Sequence, residues 1–401
     1  MAFSQDISKQ VQAQQVNTES AQDFRVEIIT SISQITAADW DALTDGTPLL
    51  SHAFLSALEN SGSVGQGTGW MPHPLVIKLG EKPNEKLVAA MPLYLKSHSY
   101  GEYVFDWAWA DAYQRSGFDY YPKLLSAIPF SPITSRRLLT EQPELQMIMI
   151  EALENVMQQH QLSSVHVLFP DESCAEQLQS AGWLKRTGVQ FRWQNKNYPD
   201  FETFLATLSH DKRKKIHQER KKVSQAGIVC RQIKGVDANE KDWDFFYDCY
   251  TNTYREHHST AYLTRSFFME IAKTMSNNIL LIVAEMDGSP IASTLNIYNQ
   301  TTLYGRYWGA MQFVSGLHFE LCYYQAQQFC IAENIIFFEG GAQGEHKLAR
   351  GFEPRPTCSY HKIAHPDFDR AIKQFLSREA EGVAAYTNEL EERAPFKHAI
   401  L

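Results

Sequence analysis

The chain has 401 residues, a formal net charge of −9, 44% hydrophobic and 12% aromatic residues. That length exceeds what one compact core supports and predicts about two domains with extensions. The acidic balance excludes a general nucleic-acid coat protein and confines any basic surface to a local patch. No run reaches the roughly eighteen apolar residues of a membrane span, and no basic-then-apolar leader opens the chain, which predicts a cytoplasmic protein. The six cysteines form no CxxC pair and read as reduced thiols. Without HExxH, zinc-ligand spacing or GxSxG, no metal and no serine nucleophile are expected.

Residues 1–23 are polar, Gln- and Ser-rich and aperiodic, which predicts a disordered tail. Two similar halves follow, expected as domains over 24–196 and 197–364 and joined near Asn195 to Asp200. In the first, Leu75 to Leu79 and Leu87 to Leu95 read as a hairpin, and Tyr103 to Trp109 reads as a third, aromatic strand. A segment from Asp111 to about Gln142, rich in Tyr, Pro and Arg, then makes this half the longer one. After it come a helix (Glu144 to His160), a buried strand (Val165 to Phe169), a short helix and the pair Gly182-Trp183. The aromatic residues from Tyr103 to Tyr121, with Asp106, Asp111 and Arg115, would either line an acceptor cleft or fill a core.

The second half opens on a basic helix over 209–226. Between Lys212 and Lys222 seven of eleven residues are Lys or Arg, among them Arg213, Lys214, Arg220 and Lys221. Leu205, Leu208, Ile216, Val223 and Ala226 fall on one narrow face, so one side packs and the remainder is cationic. Like charges at i,i+4 cost a few tenths of a kcal/mol each, a cost that an anionic partner such as tRNA or a nucleotide-linked precursor offsets; a solvated face with surface ion pairs is the alternative. A helix from about Trp243 ends in Glu256-His257-His258 near Tyr262, either a pocket rim or a capped helix end. A hairpin (Ile279 to Glu285, Ile291 to Tyr298), an aromatic strand (Leu303 to Trp308), a helix (His318 to Asn334) and a buried strand (Ile335 to Phe338) follow. Residues 365–401 read as an amphipathic helical extension.

The most informative stretch is Ile335 to Pro354, IIFFEGGAQGEHKLARGFEP. A short apolar strand leads into glycines that permit backbone conformations closed to other residues, and Glu339, Glu345, His346, Lys347 and Arg350 follow at once. An acid, an imidazole and two cations on a loop held by a sheet are a candidate site. An ordinary turn with solvated charges is the plain alternative.

A hairpin, a third strand, a helix and a final strand resemble the core of the GNAT acyltransferase fold. Two copies in one chain resemble the Fem-type aminoacyltransferases, which are tandem GNAT proteins. Ser209-His-Asp-Lys212-Arg213-Lys-Lys-Ile216 followed by Gly227-Ile228 is similar to that family's Lys-x-Arg-x-x-Ile helix, although Lys212 directly precedes Arg213. Lys347 with Gly351-Phe352 resembles its closing Phe-Lys-x-Gly-Phe element, although three residues separate Lys347 from the glycine. The fit is closer still to the bacterial FemAB-like group and covers roughly Phe24 to Phe396.

The resemblance implies an α/β architecture of tandem GNAT-like domains, each a mixed central sheet flanked by helices, plus a C-terminal helix. It implies an acyl- or aminoacyltransferase acting on an amine, as in peptidoglycan-precursor modification, with aminoacyl-tRNA or acyl-CoA as donor. In that reading Glu345 or His346 is the base. Lys347, Arg350 and the cations Lys212, Arg213, Lys214, Arg220, Lys221 and Lys222 hold anionic groups. Glu339, Tyr307, His318 and Glu320, with His257 and Tyr262, line the pocket. The Gln/Arg-x-x-Gly-x-Gly/Ala loop that grips the pyrophosphate of CoA is missing from Gln312 to His318 and from Ser131 to Arg137, so weak or no stabilisation by acetyl-CoA is expected. A CoA-dependent N-acetyltransferase with an atypical loop, and a non-catalytic protein binding RNA or a phosphorylated ligand, are the alternatives.

Overall fold

A computed structural model describes residues 24–81, 84–341, 344–393 and 395–396, together with the backbone of Gln14 and Gln15. The tail expected over 1–23 lies outside them, apart from Gln14–Gln15, which runs antiparallel to Arg25 and Val26. The chain divides into two compact units, residues 1–188 with 357–383, and 189–356 with 384–401. The strands Leu184–Gln194 and Glu353–Ile363 and the helix Pro366–Glu392 each begin in one unit and end in the other. None of the described helices is long and apolar enough to cross a membrane.

In the first unit, Phe24–Ile28, Leu75–Leu79 and Lys86–Met91 form an antiparallel sheet. Pro92, which has no N–H to give a ladder, follows directly, and the chain resumes as Tyr94–Lys96 in a second sheet with Trp70–Pro72, Lys123–Ser126, Ser164–Leu168 and the end of Glu353–Ile363. Lys123–Ser126 pairs in parallel with Ser164–Leu168, and the helix Pro143–Gln159 makes the crossover.

The expected aromatic strand Tyr103 to Trp109 is not a strand. Its alternating rings imitate a period of two, but Trp109 and Tyr113 are spaced i,i+4 and are buried together with Tyr120, Ile363, Ile372 and Leu376, so Trp107–Arg115 folds as a helix. The third strand of this half is Lys123–Ser126, which places the extra segment before that strand, not after it.

In the second unit the order is Ile228–Lys234, Ile279–Met286, Ser289–Tyr298, Thr302–Ala310, Phe337–Glu339 and Leu184–Gln194. Only Thr302–Ala310 and Phe337–Glu339 are parallel, joined by the helical run Leu317 to Ala332. This repeats the strand, helix and parallel strand of the first unit. The buried strand begins at Phe337 and not at Ile335: the Ile335 N–H still closes the preceding helix on the Cys330 carbonyl, and Ile336 is exposed. Parallel pairing spans only Thr302 to Tyr304 against Phe337 to Glu339. Beyond it Thr302–Ala310 continues, while its neighbour ends at Glu339.

Candidate functional site

Where the shorter strand stops lies a cavity of about 150 Å³ lined by Thr294, Asn296, Gly305, Arg306, Tyr307, Trp308, His318, Cys322, Tyr323, Phe338 and Gly340. That is below the usual size of a whole-ligand pocket and suits the reacting end of a larger molecule. On the cavity's outer strand the register shifts between Leu295 and Asn296, so Arg306 is the extra residue between partners Gly305 and Tyr307. Such bulges re-aim the residues beside them. On the other side Glu320–Gln325 is a π-helical turn inside the helix that starts at Leu317, a widening often found at functional sites. It carries Glu320, Cys322, Tyr323 and Tyr324.

The chain then folds as about two tight helical turns, Glu345–Arg350, ended by Gly351 at φ 85. Lys347 is buried, and its Nζ donates to the Gly341 carbonyl at 3.0 Å. Its stem lies against Gly340, where an added Cβ would sit 3.3 Å from the Lys347 Cδ and 2.8 Å from the Phe352 ring. Burial pushes the Lys347 ammonium down to about 8. His346 is exposed, and its Nε2 lies 2.9 Å from the Tyr323 hydroxyl. Burial, then the charges of Arg350 and Lys347, lower the His346 pKa, and Lys215 of the basic helix adds to the effect. Burial, then His346, pushes His318 to about 4. Both imidazoles are therefore neutral at neutral pH.

The two candidate bases face different surroundings. Glu345 is exposed, 2.7 Å from Arg393 and 3.2 Å from the Tyr386 hydroxyl, and the Arg393 hydrogen bond holds its carboxyl below the usual range. Only His346 touches a residue of the cavity. Arg350, expected to bind substrate, is fully buried and held within the protein. Its Nη2 donates to both carboxylate oxygens of Glu219 at 2.8 Å, its Nη1 donates to the His346 carbonyl at 2.6 Å, and the guanidinium lies 3.4 Å over the Phe319 ring. Glu339 is paired with Arg192 at 2.6 Å, its pKa raised by burial against the pull of that charge. Glu320 is bonded to Arg220 and to Gln325.

Tyr307 and His318 line this cavity. His257 caps the helix Glu240–Glu256 through its backbone N–H, and Tyr262 lies edge-on to Tyr254 at 5.8 Å. Tyr323 and Glu219 were missed by sequence reasoning. Glu219 had a signal, being the one acid between Lys212 and Lys222; Tyr323 had none.

The basic helix runs His210–Gln225, buries only Ile216 and Val223, and stops at Gly227, whose φ is 73. Arg220 is spent on Glu320 and Gln328. Among the described residues Lys212, Arg213, Lys214, Lys215, Lys221 and Lys222 have no acidic partner. One stripe, His210, Arg213, Lys214, His217, Gln218 and Lys221, lines a shallow groove of about 290 Å³. The opposite flank carries Glu219 to Arg350 and brings Lys215 within electrostatic reach of His346.

A search of curated proteins finds no match. Among solved structures the chain is similar to FemX, at 10% identity over 84% of this chain and 98% of that one, with a TM-score of 0.53. A tandem GNAT protein from the clavulanic acid biosynthesis pathway matches at 11% identity over 86% and 99% of the chains, with a TM-score of 0.45. The likeness to FemX is one of fold, and each of the two units here has a mixed sheet flanked by helices, with a C-terminal helix. A family model described as peptidoglycan biosynthesis/recognition matches residues 31–398, so the chain belongs to the FemAB-like family.

Proposed function

We propose that the protein transfers an acyl or aminoacyl group onto an amine of a peptidoglycan precursor. The observation that carries this is the cavity itself, with Tyr323 of the His346–Tyr323 pair on its wall and the stem of buried Lys347 against its lining residue Gly340. Such chemistry needs the two reactants held together, a proton acceptor and a positive group for the oxyanion, and positioning alone supplies roughly 7–11 kcal/mol. As the amine attacks the acyl carbon, its proton passes to the Tyr323 oxygen while the Tyr323 proton passes to His346 Nε2. Lys347 faces the charge that builds on the acyl oxygen; as the tetrahedral intermediate collapses, the bond from the acyl carbon to the donor oxygen or sulfur breaks and the proton held on His346 returns through Tyr323 to that leaving atom.

Aminoacyl-tRNA is the favoured donor and acyl-CoA the second reading. The cations of the basic helix that lack acidic partners suit a polyphosphate backbone. Ahead of the helix at Leu317, where the pyrophosphate of CoA would sit, the turn instead exposes Met311 and Phe313, the latter 95% accessible. Thermal shift with tRNA, acyl-CoAs and nucleotide-linked precursors tests this: a ligand at 100 times its Kd adds about 2.7 kcal/mol. A clear shift with tRNA and none with acetyl-CoA is expected; micromolar binding of acetyl-CoA by calorimetry would promote the second reading. Replacing Lys212, Arg213, Lys221 and Lys222 together by Gln should leave folding intact, because Ile216 and Val223 still pack. The log-log salt slope of tRNA binding should fall by roughly 0.7 to 0.9 for each phosphate that is no longer neutralised; an unchanged slope contradicts the role given to this helix.

A further inference from the structure

The first unit buries two lysines, Lys96 and Lys123, and two carboxylates, Glu102 and Asp106, that the proposed reaction does not use. Lys123 Nζ is inaccessible and donates to Ser99 Oγ at 2.9 Å, to Glu102 Oε2 at 2.9 Å and to Asp106 Oδ2. Tyr120 donates to the same Asp106 oxygen at 2.6 Å. The loop is pinned at two further points: the Tyr100 carbonyl accepts from Trp70 Nε1 at 3.1 Å, and the Phe105 carbonyl accepts from Arg186 at 2.7 Å. Buried charges are kept only when paired, and this set fixes one short segment, Ser99 to Asp106.

What the clip holds outward is aromatic. Ser99, Glu102 and Asp106 turn inward, while Tyr100, Tyr103, Phe105 and Trp107 are 56%, 39%, 58% and 40% exposed. Tyr100 and Trp107 stand 5.0 Å apart and His98 lies 5.1 Å from Tyr100. Rings fixed in place offer a large binding area with little entropy left to lose, and a patch of them on the surface marks a binding site. Their negative faces attract the electropositive C–H groups of a pyranose ring. The exposed charges on the helix that begins at Trp107 are Asp111 and Arg115, which pair with each other and add no net positive charge of the kind a site for anionic lipid uses. The family's description names peptidoglycan.

We infer that Tyr100, Tyr103, Phe105 and Trp107 form a platform for the sugar rings of a neutral glycan, the carbohydrate part of the acceptor or of the wall polymer. This deepens the proposed function and rests on it for the identity of the ligand. The test uses the full chain with chitotetraose in calorimetry and with purified peptidoglycan sacculi in sedimentation, beside vesicles of phosphatidylethanolamine and phosphatidylglycerol. Wild type should bind both saccharides and not the vesicles. Tyr100→Ala/Trp107→Ala should bind at least tenfold more weakly with an unchanged melting temperature, and Tyr100→Phe/Trp107→Phe should stay within about threefold of wild type. No saccharide binding by wild type, equal binding by the alanine variant, or binding to vesicles alone overturns the inference. Transfer activity is read separately: a chain that binds glycan and transfers nothing contradicts the reaction and leaves the platform standing.

Discussion

His346→Ala is expected to lower the rate of transfer by on the order of 10² to 10⁴, the range for losing a positioned proton acceptor. Ground-state binding of donor and acceptor should change little, because the ring is exposed and reaches the cavity through the Tyr323 hydroxyl. Tyr323→Phe should act in the same direction, since it removes the atom that connects the cavity to His346. Glu345→Gln should leave the rate within about threefold, because its carboxylate is engaged by Arg393 and Tyr386. Single-turnover kinetics on the three variants separates these roles. If Glu345→Gln were the damaging change and His346→Ala the silent one, the assignment would be reversed.

Arg350→Ala should destabilise the second unit by about 3–5 kcal/mol, as expected when one member of a buried ion pair is removed and the other stays. The guanidinium is 1% exposed, bonded twice to Glu219, bonded to the His346 carbonyl and stacked on Phe319. Its loss would free the turn that carries His346 and Lys347, so activity falls with stability. Glu219→Gln/Arg350→Met should recover part of the loss, since no unpaired charge is left behind. Denaturant unfolding of the single and double variants checks this. A melting curve for Arg350→Ala that matches wild type would show the pair to be dispensable.

Much of the fold was legible because its signals are local. The second hairpin is two apolar runs around Asp287-Gly288, both at positive φ, and it folds as expected. The basic helix declares itself by composition and ends at its glycine. The aromatic strand failed because Tyr103, Phe105, Trp107 and Trp109 fit a period of two, while the partners that decide for a helix, Ile363, Ile372 and Leu376, lie far along the chain.

The candidate site was located by its loop but not resolved. Glu345, His346 and Lys347 are consecutive in a turn of about three residues, so their side chains point roughly 120° apart and cannot share one task. Nothing local says which of them faces the cavity. The internal role of Arg350 depends on Glu219, 131 positions earlier, and no spacing rule connects the two.

The central claim is that a neutral His346 and a charged Lys347 act at one cavity. The pH dependence of single-turnover transfer tests it most directly. His346 must be unprotonated, so the rate should rise as pH climbs through a value below 6.5. Lys347 must be protonated, so the rate should fall as pH passes about 8. In Lys347→Met the upper limb should vanish and the plateau drop by on the order of 10² or more, while the fold is at least as stable, because a buried charge has been replaced by an apolar chain of similar shape. A profile that stays flat through pH 8 in wild type, or an upper limb that survives in Lys347→Met, would contradict the account.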